Sequence, residues 1–381
     1  MAEEFQALVG FCAEHFGDGA EELAMEMSHG APNESAAFGE ELDRLADLAR
    51  ERPALTAALR GGEFNDLGDL EGGAEFESRL AQVLETAGWR AASWGKIEQT
   101  TVAEDPSLAR KLFAGYLDAD DAAPQAARQR VRAAAERARD QGLSQLGAED
   151  GDALRRLVAL GQGYNAARES RAYWQLLAAG LPRIPLMELG RRLAERDVLE
   201  QPGDIFYMDI EQATEAAAGN FPGAGAHATK TRRNYEHWAT LDAPPFLGAP
   251  LPPYPEEFRQ RFVGMFGERV EQDGGDAVVK GIAAGKGVAE GIARVIASLD
   301  EIERLKPGDV SVCQSTAPPW TPLFGIASAV VADAGGVQSH TAIVAREFAI
   351  PCVVSTGDGT RRIPDGARVR VDGGEGTVTL L

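Results

Sequence analysis

Near Glu271 the hydrophobic pattern of the chain changes from a helical period to short β runs, and no single fold class accommodates both. Upstream, Leu42, Leu45, Leu48, Leu55 and Leu59 recur at spacings of three, four and seven, the spacing that lines one face of a helix. GAEFESRLAQVLETAG repeats the pattern, and further helices are predicted over about 124–141, 149–177 and in PLMELGRRLAERDVL. Asp105 and Pro106 predict a helix start for ARKLFAGYL, whereas IFYMDI reads as a short strand or extended piece. Downstream come AVVKGIAAG, VAEGIARVI, DVSVC, AVVAD, PCVVS, RVRVDG and GTVTLL, β runs broken by glycine and interrupted by the helical candidates DEIERLK and TAIVAREF. The expected fold is multidomain, α and α/β: a mainly helical domain over 1–217 and a compact mixed β/α domain over 271–381. Residues 218–270 include GNFPGAGA and LDAPPFLGAPLPPYP, too rich in glycine and proline to continue a helix. They read as a linker that ends in one short helix, EEFRQRFVGMFG.

Composition narrows the function classes. The 59 acidic residues against 38 Lys and Arg leave a net charge of -21, and residues 1–126 alone hold 26 acids and 9 bases. A field of that sign disfavours nucleic acid and anionic membranes as partners. It does not bar a phosphorylated ligand, because a local nest of N–H groups acts within a screening length of roughly 10 Å. No apolar run approaches the length of a membrane span, and MAEEFQALVG lacks the basic start of a secretory signal. Cys12, Cys313 and Cys352 are odd in number and far apart, which fits neither a disulfide framework nor a zinc site. The expectation is a cytoplasmic protein without a bound metal.

The segment VVADAGGVQSHTAIVAREFAIPCVVS carries the chemistry. An apolar strand runs into Asp333, Gly335 and Gly336, then Ser339 and His340, and a helix is predicted from about Thr341. The glycines permit close backbone approach, and the unpaired first-turn N–H groups of a helix cradle an anion. A histidine there, expected exposed on the lip, is either a local cap or a nucleophile able to carry a phosphoryl group on nitrogen. Thr316 and Ser339 are short hydroxyls suited to phosphoryl oxygens or to ordinary turn and cap bonds.

This segment resembles the mobile phosphohistidine domain of the phosphoenolpyruvate-utilising enzymes. The shared pattern is Gly335, Gly336, Ser339, His340, Ala342, Ile343, Val344, Ala345, Arg346, Glu347, Ile350 and Pro351, with STAPPWTPLF and GIAAGKGVAEGIARVI matching upstream. The resemblance covers about 105 residues. It implies a swivelling β/β/α domain in which His340 carries the phosphoryl group. Asp333 and Cys352 depart from the common Glu and Ala without touching that role.

The helical part resembles, more loosely, the substrate-binding domain of rifampicin phosphotransferases, on MSHGAPNESAAFGEELDRLADLA, LEGGAEFESRLAQVLETAGWRAASWGKIE and RRLAERDVLEQPGDIFYMDIEQA. His29, Arg90 and Glu98 fall at its more recognisable positions. Trp89, Arg90, Trp94, Lys96 and Glu98 crowd into ten residues. They could line a pocket for a large acceptor, with Glu98 drawing a proton, or form core tryptophans with charged rims. Arg168 and Glu169 belong either to a helix-surface ion network or to a polar pocket wall.

The resemblance also implies an ATP-grasp region that charges the histidine, and no phosphate loop of the GxxxxGK[ST] kind occurs in this sequence. The leading expectation is a phosphotransferase component that binds no cofactor alone. A separate ATP-grasp subunit with ATP and Mg would load His340, which then delivers to a small-molecule acceptor. Two other readings stand beside it: a nucleotide-independent biosynthetic enzyme using His340 as general acid or base, and a non-enzymatic binding or regulatory protein. The carrier reading expects His340 to face open solvent in the chain alone.

Overall fold

The computed structural model describes the chain except for residues 1, 31–33, 64–65, 92–95, 106, 108–112, 114, 119–122, 242–254, 256–262, 264–265, 269, 273–274 and 276, and for the side chains of 2–4, 34–36, 123–125, 127, 165, 168 and 169. The helical part comprises α1 (Ala2–Phe16), α2 (Ala20–Ser28), α3 (Glu34–Arg50), α4 (Pro53–Arg60), α5 (Gly73–Ala87), α6 (Ala123–Ser144), α7 (Ala148–Gly180), α8 (Arg183–Glu195), α9 (Ile210–Ala218) and α10 (Ala224–Ala239). Pro53, at the first turn of α4, separates it from α3, since its ring excludes the preceding residue from the helix. Most of ARKLFAGYL lies outside the described residues.

Two upstream expectations are corrected. IFYMDI is not a strand: Pro202–Tyr207 is a 3-10 helix, and Asp209 caps α9 in a reciprocal box with Gln212. The segment 219–255 is not free of helix, because α10 occupies 224–239. Its glycines mark the boundaries, with Gly219 closing α9 and Gly223 opening α10 at φ of 80° and 83°. The sequence between Ala226 and Ala239 contains no glycine or proline.

Among the described residues the C-terminal part is an eight-stranded sheet flanked by α11 (His340–Glu347) and α12 (Gly359–Arg362). Its strands are β1 (Val278–Lys280), β2 (Ile282–Gly285), β3 (Val288–Val295), β4 (Val310–Cys313), β5 (Ala329–Ala332), β6 (Cys352–Val354), β7 (Arg368–Asp372) and β8 (Thr377–Leu380). The order is β1-β8-β7-β3-β4-β5-β6-β2. Strands β3 to β6 pair in parallel, and antiparallel strands flank them on both sides. DEIERLK is a 3-10 helix rather than an α-helix, as is Pro318–Gly325 within the STAPPWTPLF match.

Strands β4, β5 and β6 are buried on both faces, so they read as nearly continuous apolar runs. Alternation still divides their side chains. Val310, Val312, Ala329, Val331 and Val353 enter one core with Val369, Val371 and Val378. Cys313, Val330, Ala332, Cys352 and Val354 enter another, which also contains Phe38, Leu42, Leu45, Phe76, Phe113 and Tyr116 from the helical part. One sheet face and its neighbouring elements therefore share a hydrophobic core with the helices. The C-terminal domain is docked through packed side chains, and Lys286 adds an exposed ion pair with Glu22 of α2.

Candidate functional site

His340 is the first residue of α11, and Ser339 is its N-cap, accepting a bond from the Ala342 N–H at 3.3 Å. The loop that delivers them is clamped at its start. Asp333 Oδ1 accepts from Thr356 Oγ1 at 2.8 Å and from the Thr360 N–H at 3.1 Å, while Oδ2 accepts from Thr360 Oγ1. Gly335 has φ of 114°, and a Cβ there would stand 2.8 Å from Ser339 Oγ, so this position needs glycine. The Gly336 carbonyl accepts the Ser339 N–H at 2.9 Å, closing the turn into the helix. Ser339 is thus a cap whose hydroxyl proton is left to donate.

The imidazole does not stand on an exposed lip. His340 is partly buried with Nε2 enclosed, and its ring meets Phe324 edge-on at 6.4 Å between centroids. Around it, the 3-10 helix Pro318–Gly325 packs against α3 and α11, and α11 packs against α6. Thr316, buried at the end of β4, has its hydroxyl 2.8 Å from that of Thr341, the residue after His340.

Ile343 and Glu347, three and seven residues beyond His340, share its face of α11. With Gln338 and Arg346 they meet Phe5, Met25, Ser28, His29 and Tyr164 in a small cavity between the domains. The His29 carbonyl, just past α2, accepts from Arg139 at 3.3 Å and Gln162 at 3.3 Å. Burial first, then the charge of Arg346, lowers the His29 pKa to about 3, so its imidazole is neutral near pH 7. Arg346 itself donates to the Ala284 carbonyl at 3.0 Å and marks the docking face.

A larger cavity of about 420 Å³ opens beside the end of β4. Lys96, Glu98 and Gln99 face it from the helical part, and Asp300, Gln314, Thr316 and Trp320 from the C-terminal domain. Glu98 accepts a bond from the Tyr235 hydroxyl, and that bond, ahead of burial, pushes the Tyr235 pKa up to about 12.

The residues singled out in the helical part therefore do not share one pocket. His29 and Glu98 line different cavities. Arg90 is buried, donates to the Ala87 carbonyl at 3.0 Å, and lies 5.3 Å from the ring centroids of both Phe38 and Tyr173, a packing role between α3 and α7. Trp94 lies outside the described residues, as do the side chains of Arg168 and Glu169 within α7. Sequence reasoning missed the buried ion pair of Asp43 and Arg128, whose guanidinium stacks 4.9 Å from the Phe348 ring centre, and the buried Tyr116 beside it. Asp43 and Arg128 are 85 residues apart, and no local pattern relates them.

Cys12, Cys313 and Cys352 are free and buried, with burial pushing the Cys352 thiol up to about 12. Among the described residues no group of three or more His, Cys, Asp or Glu could hold a metal ion, and no helix is long and apolar enough to cross a membrane.

Residues 305–376 match the family model of the PEP-utilising enzyme mobile domain, and residues 5–169 match the rifampicin phosphotransferase fourth domain. Chondramide synthase cmdD of Chondromyces crocatus is 30% identical over 375 residues, covering 92% of this chain and 9% of that protein. A rifampicin phosphotransferase of a Streptomyces species is 28% identical over 374 residues, 95% of this chain and 42% of its own. Phosphoenolpyruvate synthase of Aeropyrum pernix is 46% identical over 105 residues, 27% of this chain and 13% of its own. The chain thus spans less than half the length of these relatives. The chain joins a member of the rifampicin phosphotransferase fourth-domain family, over residues 5–169, to a member of the PEP-utilising enzyme mobile-domain family, over residues 305–376.

Proposed function

We propose that this chain is a phosphotransferase component in which His340 carries a phosphoryl group to a small-molecule acceptor bound between the domains. The observation that carries the reading is the placement of His340 as the first residue of α11, behind the Ser339 cap and the Gly335 turn, with Nε2 enclosed and the ring edge-on to Phe324. First-turn N–H groups favour the added negative charge. The Ser339 hydroxyl remains able to donate to a phosphoryl oxygen, as does that of Thr316 when Thr341 is the donor in their shared bond.

The proposed donor is ATP with Mg on a separate ATP-grasp subunit. A neutral imidazole nitrogen attacks phosphorus, the nucleotide P–O bond breaks, and the ring N–H proton passes to solvent. Loading by another subunit requires His340 to leave its docked position, so the docked arrangement is the delivering state. A second reading uses the same docked geometry: His340 as general acid or base without nucleotide, which the enclosed Nε2 favours over an open lip.

Incubating the chain with phosphoramidate, or with an ATP-grasp partner and ATP, separates the two. The carrier reading expects one acid-labile, base-stable phosphate that is absent in His340→Gln. Acid-stable phosphate on serine or threonine, or full turnover of an acceptor without any phosphoryl donor, would refute it.

A further inference from the structure

We infer that the cavity of about 420 Å³ between the domains binds a small polyhydroxylated molecule of the sugar or polyol class. That this molecule is also the phosphoryl acceptor rests on the carrier reading above; its binding does not.

Position is the first argument. The cavity wall on the C-terminal side is formed by residues 297–300, just beyond β3, and 314–317, directly after β4. Both segments follow the carboxyl ends of parallel strands, where open α/β sheets place ligands. The next parallel strand, β5, leads into the loop bearing His340. The Thr316–Thr341 hydroxyl contact ties the cavity wall to the residue beside the histidine. The volume lies within the roughly 300–1,000 Å³ range of small-molecule sites.

Chemistry selects the class. Glu98 and Asp300 are acceptors, Lys96 is a donor, and Gln99, Gln314 and Thr316 do both, around the ring of Trp320. Hydroxyls both donate and accept, so a ligand with several of them satisfies this mixed set while one face lies on Trp320. A wholly apolar polycycle would strand the same polar groups without partners. Glu98 spends one contact on Tyr235 and retains further lone pairs for the ligand. Because Glu98 and Asp300 come from different domains, a bound polyol bridges them and stabilises the docked state. In the transfer, a ligand hydroxyl oxygen attacks the phosphorus on His340. The P–N bond breaks as the P–O bond forms, and the hydroxyl proton ends on the released imidazole.

Calorimetric titration of the full chain with glucose, glucosamine, myo-inositol and maltose, with rifampicin as comparator, tests the site. Saturable binding of at least one polyol, weakened tenfold or more by Gln314→Leu and by Gln99→Leu, is expected. Absence of binding by all four, binding unchanged in both variants, or rifampicin binding that Gln314→Leu abolishes overturns the inference. Phosphoramidate labelling of His340 is measured separately. Polyol binding without labelling supports the site and removes the carrier reading instead.

Discussion

The hydroxyls of Thr316 and Thr341 lie 2.8 Å apart, both buried, and join the end of β4 to the first turn of the helix that presents His340. This contact fixes the wall of the larger cavity relative to the histidine. Thr316→Val keeps the shape but leaves the Thr341 hydroxyl without this partner, a loss of about 1–3 kcal/mol. Thr316→Ser should retain most of the stability. Urea denaturation of the three proteins provides the measurement, and identical midpoints for Val and wild type would show that the pair contributes nothing.

Docking should depend on the ion pair under Phe348. Arg128→Met leaves Asp43 buried without its cation, and should cost about 3–5 kcal/mol. Burial already raises the Asp43 pKa while Arg128 opposes that rise, so the single variant should drive the carboxyl further toward its neutral form. Adding Asp43→Leu should recover much of the loss. If the double variant is as unstable as the single one, packing against Phe348 and not charge dominates.

Acid should weaken the docked state through His29. Its folded pKa, about 3, lies below the ordinary value near 6.5, so the unfolded or undocked chain binds a proton that the docked chain does not. This contribution is full above pH 6.5 and is lost as pH falls toward 3, by at most about 1.4 kcal/mol per pH unit. The neighbouring charged side chains are Arg346 and Glu347, with Tyr164 and Gln338 completing the cavity. The difference in unfolding free energy between wild type and His29→Gln, measured from pH 7 to pH 4, should narrow with acid. A constant difference would place His29 in ordinary solvent.

Close approach at the interface should be sensitive to one methyl group. A Cβ on Gly325 would stand 2.7 Å from Tyr116 Oη and 2.8 Å from its Cζ, across the domain boundary. Gly325→Ala should destabilise by about 1–3 kcal/mol through overpacking. Tyr116→Leu should relieve part of that loss in the double variant. Additive losses in thermal melts would mean that the two residues do not meet.

The turn and helix start that present His340 were legible in the chain because they are local. A strand, two glycines, a capping serine and a histidine within twelve residues specify a turn and a helix start whatever surrounds them. Helical periodicity likewise located α3, α5, α7 and α8, since a 3.6-residue period is a property of the segment itself. Where glycine and proline sat at element boundaries, the same local reading failed. It missed α10, and it took Pro202–Tyr207 for extended chain, because punctuation shows where elements break and not what lies between the breaks.

Long-range packing decided the remainder. Whether the helix that carries His340 stands free depends on contacts between α11 and α6, two hundred residues away, and Nε2 is enclosed in the docked fold. The separation of His29 from Glu98, and the assignment of Arg90 to packing between Phe38 and Tyr173, follow from how the helices stack rather than from spacing along the chain. Sequence determines which residues can bond within a turn or a helix. Only the docked fold brings Asp43 to Arg128, Tyr116 to Gly325 and Thr316 to Thr341, because each of those contacts joins segments that only tertiary burial of apolar surface brings together.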